Sequence, residues 1–345
     1  MITLDQIAEL CKVSKMTASR ALDPNSRSKV AKPTRSLVLE VAAKYNYRQN
    51  KVVKAFASGR THLIGFIGFD FSRQFQGEVF GGVQEVVNPL GYDILTLQWS
   101  EIFRDKEKLM CSLVDRRVEG VLAFHSDPHG DFSYLMDLQK HGVSVVVLDR
   151  AVSISGVSYV VPDNVSGSIQ AVNCLVELGH ESIAYVTWQD DGVLDDDRYL
   201  GYRLAMKQHK LRSKEKIVIP SKALEPEIDG KWFEKFMKDS KSTAIVTLND
   251  LVALSFYSAA QIVGFSIPCD LSIVGFGNSK YYAKAFSPRL TTIDLGAKKV
   301  GQEGAKMLLS NIESKFSKKK ITDAASIVLP VSLIERNSTC PAGAK

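Results

Sequence analysis

Ile2-Thr3-Leu4-Asp5-Gln6-Ile7-Ala8-Glu9-Leu10, then Val13-Ser14-Lys15-Met16-Thr17-Ala18-Ser19-Arg20-Ala21-Leu22, is the stretch from which the rest of the chain is read. Thr3 with Gln6 three residues later forms a capping box, and Leu4, Ile7, Ala8 and Leu10 follow as a helical apolar stripe. Ser14 is a good N-cap for a second helix, predicted over about 15–22. Residues 11–13 leave room only for a sharp turn. The second helix places Ala18, Ala21 and Leu22 inward, while Lys15/Ser19 and Met16/Arg20, each four apart, share the other face. Asp23-Pro24-Asn25 ends it, because proline cannot continue a helix and Asp and Asn favour turns. A third helix is predicted from near Thr34, with Pro33-Thr34 as its boundary and Leu37, Val38, Val41 and Ala42 on one side. Two helices on a short turn, the second with a cationic outer face, make a helix-turn-helix.

Charge separates this head from the rest of the chain. Residues 1–60 hold 12 Lys and Arg against 4 Asp and Glu, a balance of +8, whereas the whole 345-residue chain is +6. The other 285 residues therefore sum to −2. Concentrated positive charge favours a polyanion, since each neutralised phosphate releases counterions. A solvated basic surface would give the same balance, so pattern must decide.

The remainder alternates. Strand-like runs fall at 63–69, 92–97, 120–124, 143–148, 183–186, 217–219, 244–247 and 272–276. Helical stretches fall near 77–89, 104–116, 131–141, 166–178, 198–209, 229–239, 249–264 and 297–313. Such alternation, with nearly continuous apolar strands, predicts an α/β body of parallel sheets covered by helices on both faces.

Together these segments carry a family resemblance. The head strings, Tyr45-Asn46-Tyr47-Arg48-Gln49-Asn50, and the segment 51–59 resemble the N-terminus of the LacI/GalR family of repressors. The likeness continues at Asp163-Asn164 with Gly167, Leu178-Gly179-His180, Arg198 with Gly201-Tyr202, Asn249-Asp250 and Ile273-Val274-Gly275-Phe276. It ends at Pro288-Arg289-Leu290-Thr291-Thr292 and Leu333-Ile334-Glu335-Arg336-Asn337-Ser338-Thr339. It covers essentially the whole chain, and Lys15-Met16-Thr17 with Ser19-Arg20 looks like the gluconate-repressor branch.

The resemblance implies an all-α helix-turn-helix head over 1–48, a hinge over 49–60, and a two-lobed periplasmic-binding-protein-like body over 61–340. It puts lobe 1 at about 61–161 and 293–325, and lobe 2 at about 162–292 and 326–340. It sets the second helix in the major groove, with Lys15, Met16 and Arg20 at base-reading positions. Arg can fork onto guanine O6 and N7, and Lys reaches the same edge. Met16 either meets a thymine methyl or packs on Lys12 or the third helix. Thr3, Ser14, Thr17, Ser19 and Tyr47 suit phosphate oxygens, and Asn50 and Lys54 extend that surface. The hinge is too short to hold as a helix alone. Phe56 stands where relatives insert a leucine into the minor groove, and either wedges between base steps or packs on the body. The usual turn glycine is replaced by Lys12, a substitution that costs roughly 1 kcal/mol if left-handed. The loop 23–31 also looks longer than in the lactose repressor.

For the cleft between lobes, the resemblance points to Ser72, Phe75, Arg150, Trp188, Arg198 and Asn249 as effector residues. Sugar-binding relatives carry an Asp after the Val274-Gly275-Phe276 string; here Gly277-Asn278 stands in its place. With two arginines kept and that acid gone, a sugar acid is the expected effector. Asp195-Asp196-Asp197 is read as a solvated loop.

Other classes fit less well. G-x-S-x-G, the P-loop pattern, H-E-x-x-H and G-x-G-x-x-G opening a helix are all absent, so no enzyme and no cofactor is expected. The six histidines are scattered, and the cysteines (Cys11, Cys111, Cys174, Cys269, Cys340) form no C-x-x-C pair, so no metal is expected. No apolar run reaches the ~18 residues of a membrane span, and no basic start precedes an apolar stretch as in a secretory signal. The expectation is a cytoplasmic, homodimeric regulator, a repressor binding double-stranded operator DNA and a small effector, with a solute-binding protein lacking a DNA role as the alternative.

Overall fold

The computed structural model describes residues 2–23, 30–48, 50–69, 73–98, 106–124, 133–188, 194–222, 225–282, 286–317 and 325–343. They form two compact units, Met1–His62 and Leu63–Lys345.

The first unit holds α1 (Leu4–Leu10), α2 (Lys15–Leu22), α3 (Lys32–Lys44) and α4 (Lys51–Ser58). Thr3 and Gln6 make the reciprocal capping box, and Ser14 Oγ accepts from Thr17 N. Lys12 takes φ +52° in the turn between α1 and α2, the left-handed geometry glycine would adopt freely. Ile7, Ala8, Cys11, Ala18, Ala21 and Val38 form the core of this unit. The third helix starts at Lys32, two residues before the expected Thr34. Pro33 lies inside its first turn, where a missing N–H costs nothing, so proline marked the start of the helix and not its border.

The second unit is two six-stranded sheets with helices around them. The first sheet contains β1 (Leu63–Phe69), β2 (Asp93–Gln98), β3 (Gly120–Phe124), β4 (Ser144–Leu148), β5 (Ser158–Pro162) and β13 (Ser326–Leu329). Its order is β13-β5-β4-β3-β1-β2, with every pair parallel. The second contains β6 (Ile183–Trp188), β7 (Ile217–Ile219), β10 (Ala244–Thr247), β11 (Ser272–Phe276), β12 (Thr291–Asp294) and β14 (Ser332–Ile334). Its order is β14-β12-β11-β10-β6-β7, with only β14 antiparallel to its neighbour. A small hairpin joins β8 (Ser221–Lys222) and β9 (Glu225–Pro226).

The helices are α5 (Gln74–Val87), α6 (Lys106–Asp115), α7 (Ser133–Lys140), α8 (Asn164–Glu177), α9 (Leu194–Gln208), α10 (Gly230–Ser240), α11 (Asp250–Val263) and α12 (Ala297–Phe316). The α/β expectation holds, and two details change. β13 pairs with β5, so the last crossing between lobes falls at residues 330–331 and not near 326. Pro330 cannot donate to a ladder and cuts one apolar run into two strands of different sheets. The Asp195-Asp196-Asp197 run lies in the first turn of α9 and not in a loop.

Helices α5 and α12 cross with almost no space between their backbones. A Cβ on Gly301 would lie 1.9 Å from the Val79 carbonyl oxygen, and one on Gly82 2.1 Å from that of Lys298. Gly301→Ala is therefore expected to force the helices apart at a cost of about 3 kcal/mol, lowering the melting temperature by roughly 5–10 °C. Calorimetry checks this, and an unchanged melting temperature contradicts it.

Candidate nucleic-acid interface and effector cleft

On the head, α1 and α3 bury the inner face of α2 and leave its outer face to solvent. Lys15, Met16 and Arg20 are exposed, while Thr17 and Ser19 are half-buried. Met16 is 61 % exposed. Lys15 Nζ lies 2.8 Å from Asp5 Oδ2 across the two helix starts. Thr3 and Ser14 use their hydroxyls as caps, and the Ser14 and Thr17 hydroxyls are 2.9 Å apart. Tyr47 packs against the head core, and burial is the first cause of its raised phenol pKa, followed by Asp5. Asn50 caps α4, its Oδ1 accepting from Val53 N at 3.4 Å. Phe56 is 85 % exposed. The side chain of Lys54 lies outside the described residues.

In the body, Trp188, Asn249 and Arg198 lie at the carboxyl ends of β6, β10 and β11, where open α/β sheets place their ligands. Arg198, on α9, is buried to 5 % exposure. Its Nε donates to Asn164 Oδ1 at 2.8 Å, its Nη1 donates to the Leu248 carbonyl, and its guanidinium sits 4.9 Å from the Phe276 ring centre. Two of its nitrogens are thus spent on the protein. Asn249 also serves the fold first: its Oδ1 caps α11 by accepting from Val252 N at 2.9 Å. Trp188 ends β6 inside the apolar core of lobe 2. Among the described residues, Trp188 Nε1 and Asn164 Nδ2 are buried with no hydrogen-bond partner. Phe75 packs against cores of both lobes. Arg150 follows β4 and is half-buried on lobe 1, so the two arginines stand on different lobes. Ser72, His125 and His129 lie outside the described residues.

A buried acid that sequence reasoning missed dominates this region. Asp250, the first residue of α11, is 2 % exposed. Its Oδ1 accepts from Thr292 Oγ1 at 2.6 Å and its Oδ2 from Ser279 N at 2.7 Å. Burial pushes its carboxyl up from 3.8 to about 7, against those hydrogen bonds and against Arg336 and Arg198. A Cβ on Gly277 would come within 3.7 Å of Asp250 Oδ2. The surroundings of position 277 thus already hold one acid, bound to the protein. Gly277 has φ +121°, so an aspartate there would also be strained.

The segment after β11 ties the lobes together. Ser279 Oγ and Tyr281 N donate to Gln74 Oε1 of α5, the latter at 3.4 Å, and Lys280 Nζ lies 3.5 Å from Glu78 Oε1. Since Ser279 N also holds Asp250, one short segment joins the carboxyl end of the lobe 2 sheet to lobe 1.

A helical DNA-binding head followed by a two-lobed α/β body defines a class, the ligand-responsive transcription regulators. Residues 3–50 match the pattern of "Bacterial regulatory proteins, lacI family" and residues 172–339 that of the "Periplasmic binding protein-like domain". The HTH-type transcriptional regulator DegA of Bacillus subtilis is 28% identical over 98% of this chain and 98% of its own. The lac repressor dimer solved with operator and the anti-inducer ONPF has a TM-score of 0.79 at 22% identity, covering 98% of this chain and 99% of that one. A LacI family regulator from Enterococcus faecium solved with bound ribose is 25% identical, with a TM-score of 0.68 over 81% of this chain and 99% of that one. The chain is a DNA-binding transcriptional regulator whose head matches the lacI family and whose whole length is similar to regulators of that kind. Among the described residues, no helix is long and apolar enough to cross a membrane.

Proposed function

We propose that the chain is a cytoplasmic, homodimeric repressor that binds an operator through residues 1–48 and a hinge at 49–60, under control of a carbohydrate-type effector held in the body, 61–340. Lys15, Met16 and Arg20 read base edges. Thr3, Ser14, Thr17, Ser19, Tyr47, Asn50 and Lys54 position the backbone, and Phe56 wedges into the minor groove. The exposed phenylalanine on a short helix supports the last assignment, because an apolar side chain of that size gains by leaving water.

The observation that carries the effector class is the pair Arg198 and Asn164, joined by a hydrogen bond, with Asn164 Nδ2 buried and without a partner. Buried donors without acceptors cost stability, and an oxygen-rich ligand supplies the acceptors. A sugar acid such as gluconate gains most, because a carboxylate on a guanidinium makes a charge-assisted bond. Asp250 is compatible with this, since its raised pKa leaves part of it neutral at pH 7. A neutral sugar is the second reading, favoured by the ribose-bound relative. Ser72, Phe75, Arg150 and Asn249 complete the proposed pocket.

Thermal denaturation with gluconate and with ribose decides between them. A ligand at 100 times its Kd adds ~2.7 kcal/mol, raising the melting temperature by roughly 5–10 °C. Gluconate is expected to give the larger rise. A larger rise with ribose shifts the reading to a neutral sugar, and no rise with either refutes the carbohydrate class.

A further inference from the structure

The face assigned to DNA carries an acid. Asp5 lies in the first turn of α1, where a carboxylate suits the helix dipole, and its Oδ2 holds Lys15 Nζ at 2.8 Å. Lys15 opens α2, the end of a helix where a cation is least at ease. The Tyr47 phenol lies close enough to sense both charges, raised by Asp5 and lowered by Lys15. An uncompensated carboxylate on such a face repels every phosphate, so a merely attractive surface has no use for it.

We propose that Asp5 is a specificity-determining residue: it tethers Lys15 so that the ammonium reads a base edge and is kept from the phosphates. This rests on the DNA-binding reading above. An ammonium has three donors. One stays on Asp5, and two remain for guanine O6 and N7. The pair is neutral as a unit, so it contributes nothing to counterion release. Moving Lys15 to a phosphate breaks the pair and leaves Asp5 facing the strand. Binding to wrong sequences is thereby penalised, while binding to a site with guanine at that position is spared.

The test uses the full chain, a duplex selected from a random pool, and a scrambled duplex of equal length, titrated across salt concentrations. Asp5→Asn is expected to tighten binding to the scrambled duplex roughly tenfold and to steepen the slope of log K against log salt by about 0.9. The preference for the selected duplex falls by a similar factor. Asp5→Glu keeps the charge and restores wild-type preference. Where Asp5→Asn does not fold, Asp5→Ser combined with Lys15→Met carries the test: both halves of the neutral pair are gone, so the salt slope stays unchanged while guanine preference at one position is lost. A doubly substituted chain whose slope flattens by about 0.9 overturns the tether, because Lys15 then binds phosphate in the wild type. So does an Asp5→Asn protein with unchanged slope and preference. A wild-type chain that prefers no duplex overturns the DNA reading itself.

Discussion

Arg198→Ala is expected to destabilise the body by about 4 kcal/mol, because it removes one partner from a buried charged network. The truncation leaves the Asn164 Oδ1 and the Leu248 carbonyl without their donor and empties the space over the Phe276 ring. It also withdraws a positive charge that lowers the Asp250 pKa, although burial still pushes it up to about 7. The pH dependence follows from the sign of that shift. Asp250 binds its proton more tightly in the fold than in the unfolded chain, so its contribution to stability is full below its ordinary value of 3.8 and is lost as pH rises through about 7. Without Arg198 the folded pKa rises further and the loss extends above pH 7. Urea unfolding of wild type and variant at pH 5 and pH 8 measures both effects. A cost under about 1 kcal/mol, or a difference between variant and wild type that is the same at both pH values, contradicts this account of the network.

How much of this was legible in the sequence depended on whether the signal was local. The helix-turn-helix could be read because each helix start is written in adjacent residues: Thr3 with Gln6, and Ser14 with Thr17. The central strands could be read because burial on both faces requires continuous apolar runs, as in β3, β6 and β11. Strands β5, β12, β13 and β14 were not foreseen. They are three to five residues long, β5 ends in Pro162 and β13 stops before Pro330, so their pairing comes from the sheet and not from their own sequence.

The cleft was legible only in part. Arg198 and Asn249 stood out as residue types, and the cap from Asn249 to Val252 is local, but the hydrogen bonds of Arg198 depend on Asn164 and Leu248, dozens of residues away. Asp250 looked like an ordinary acid at a helix start. Its burial follows from the meeting of α11 with β12 and the segment after β11. The Ser279–Gln74 bond joins residues 205 apart, a pairing that no periodicity encodes.

A chain beginning at Leu63 is expected to lose duplex binding entirely while keeping its cooperative unfolding. The head carries the basic excess and the exposed face of α2, and the body has its own cores in both lobes. Gel-shift titration and calorimetry on the shortened chain check the two halves of this expectation. The solute-binding alternative predicts instead that removing the head changes nothing measurable beyond mass, because the intact chain would bind no duplex either. A shortened chain that still binds the selected duplex places the DNA surface elsewhere and contradicts the head assignment.

The central claim is that two heads of this type read one two-fold operator. The most direct measurement is selection of duplexes from a random pool by the intact chain, followed by the mass of the complex on the winning sequence. The expected winner is a roughly palindromic site, with half-sites centred on one groove face, occupied by two chains. Asymmetric winners, or a complex of one chain per duplex, would contradict it.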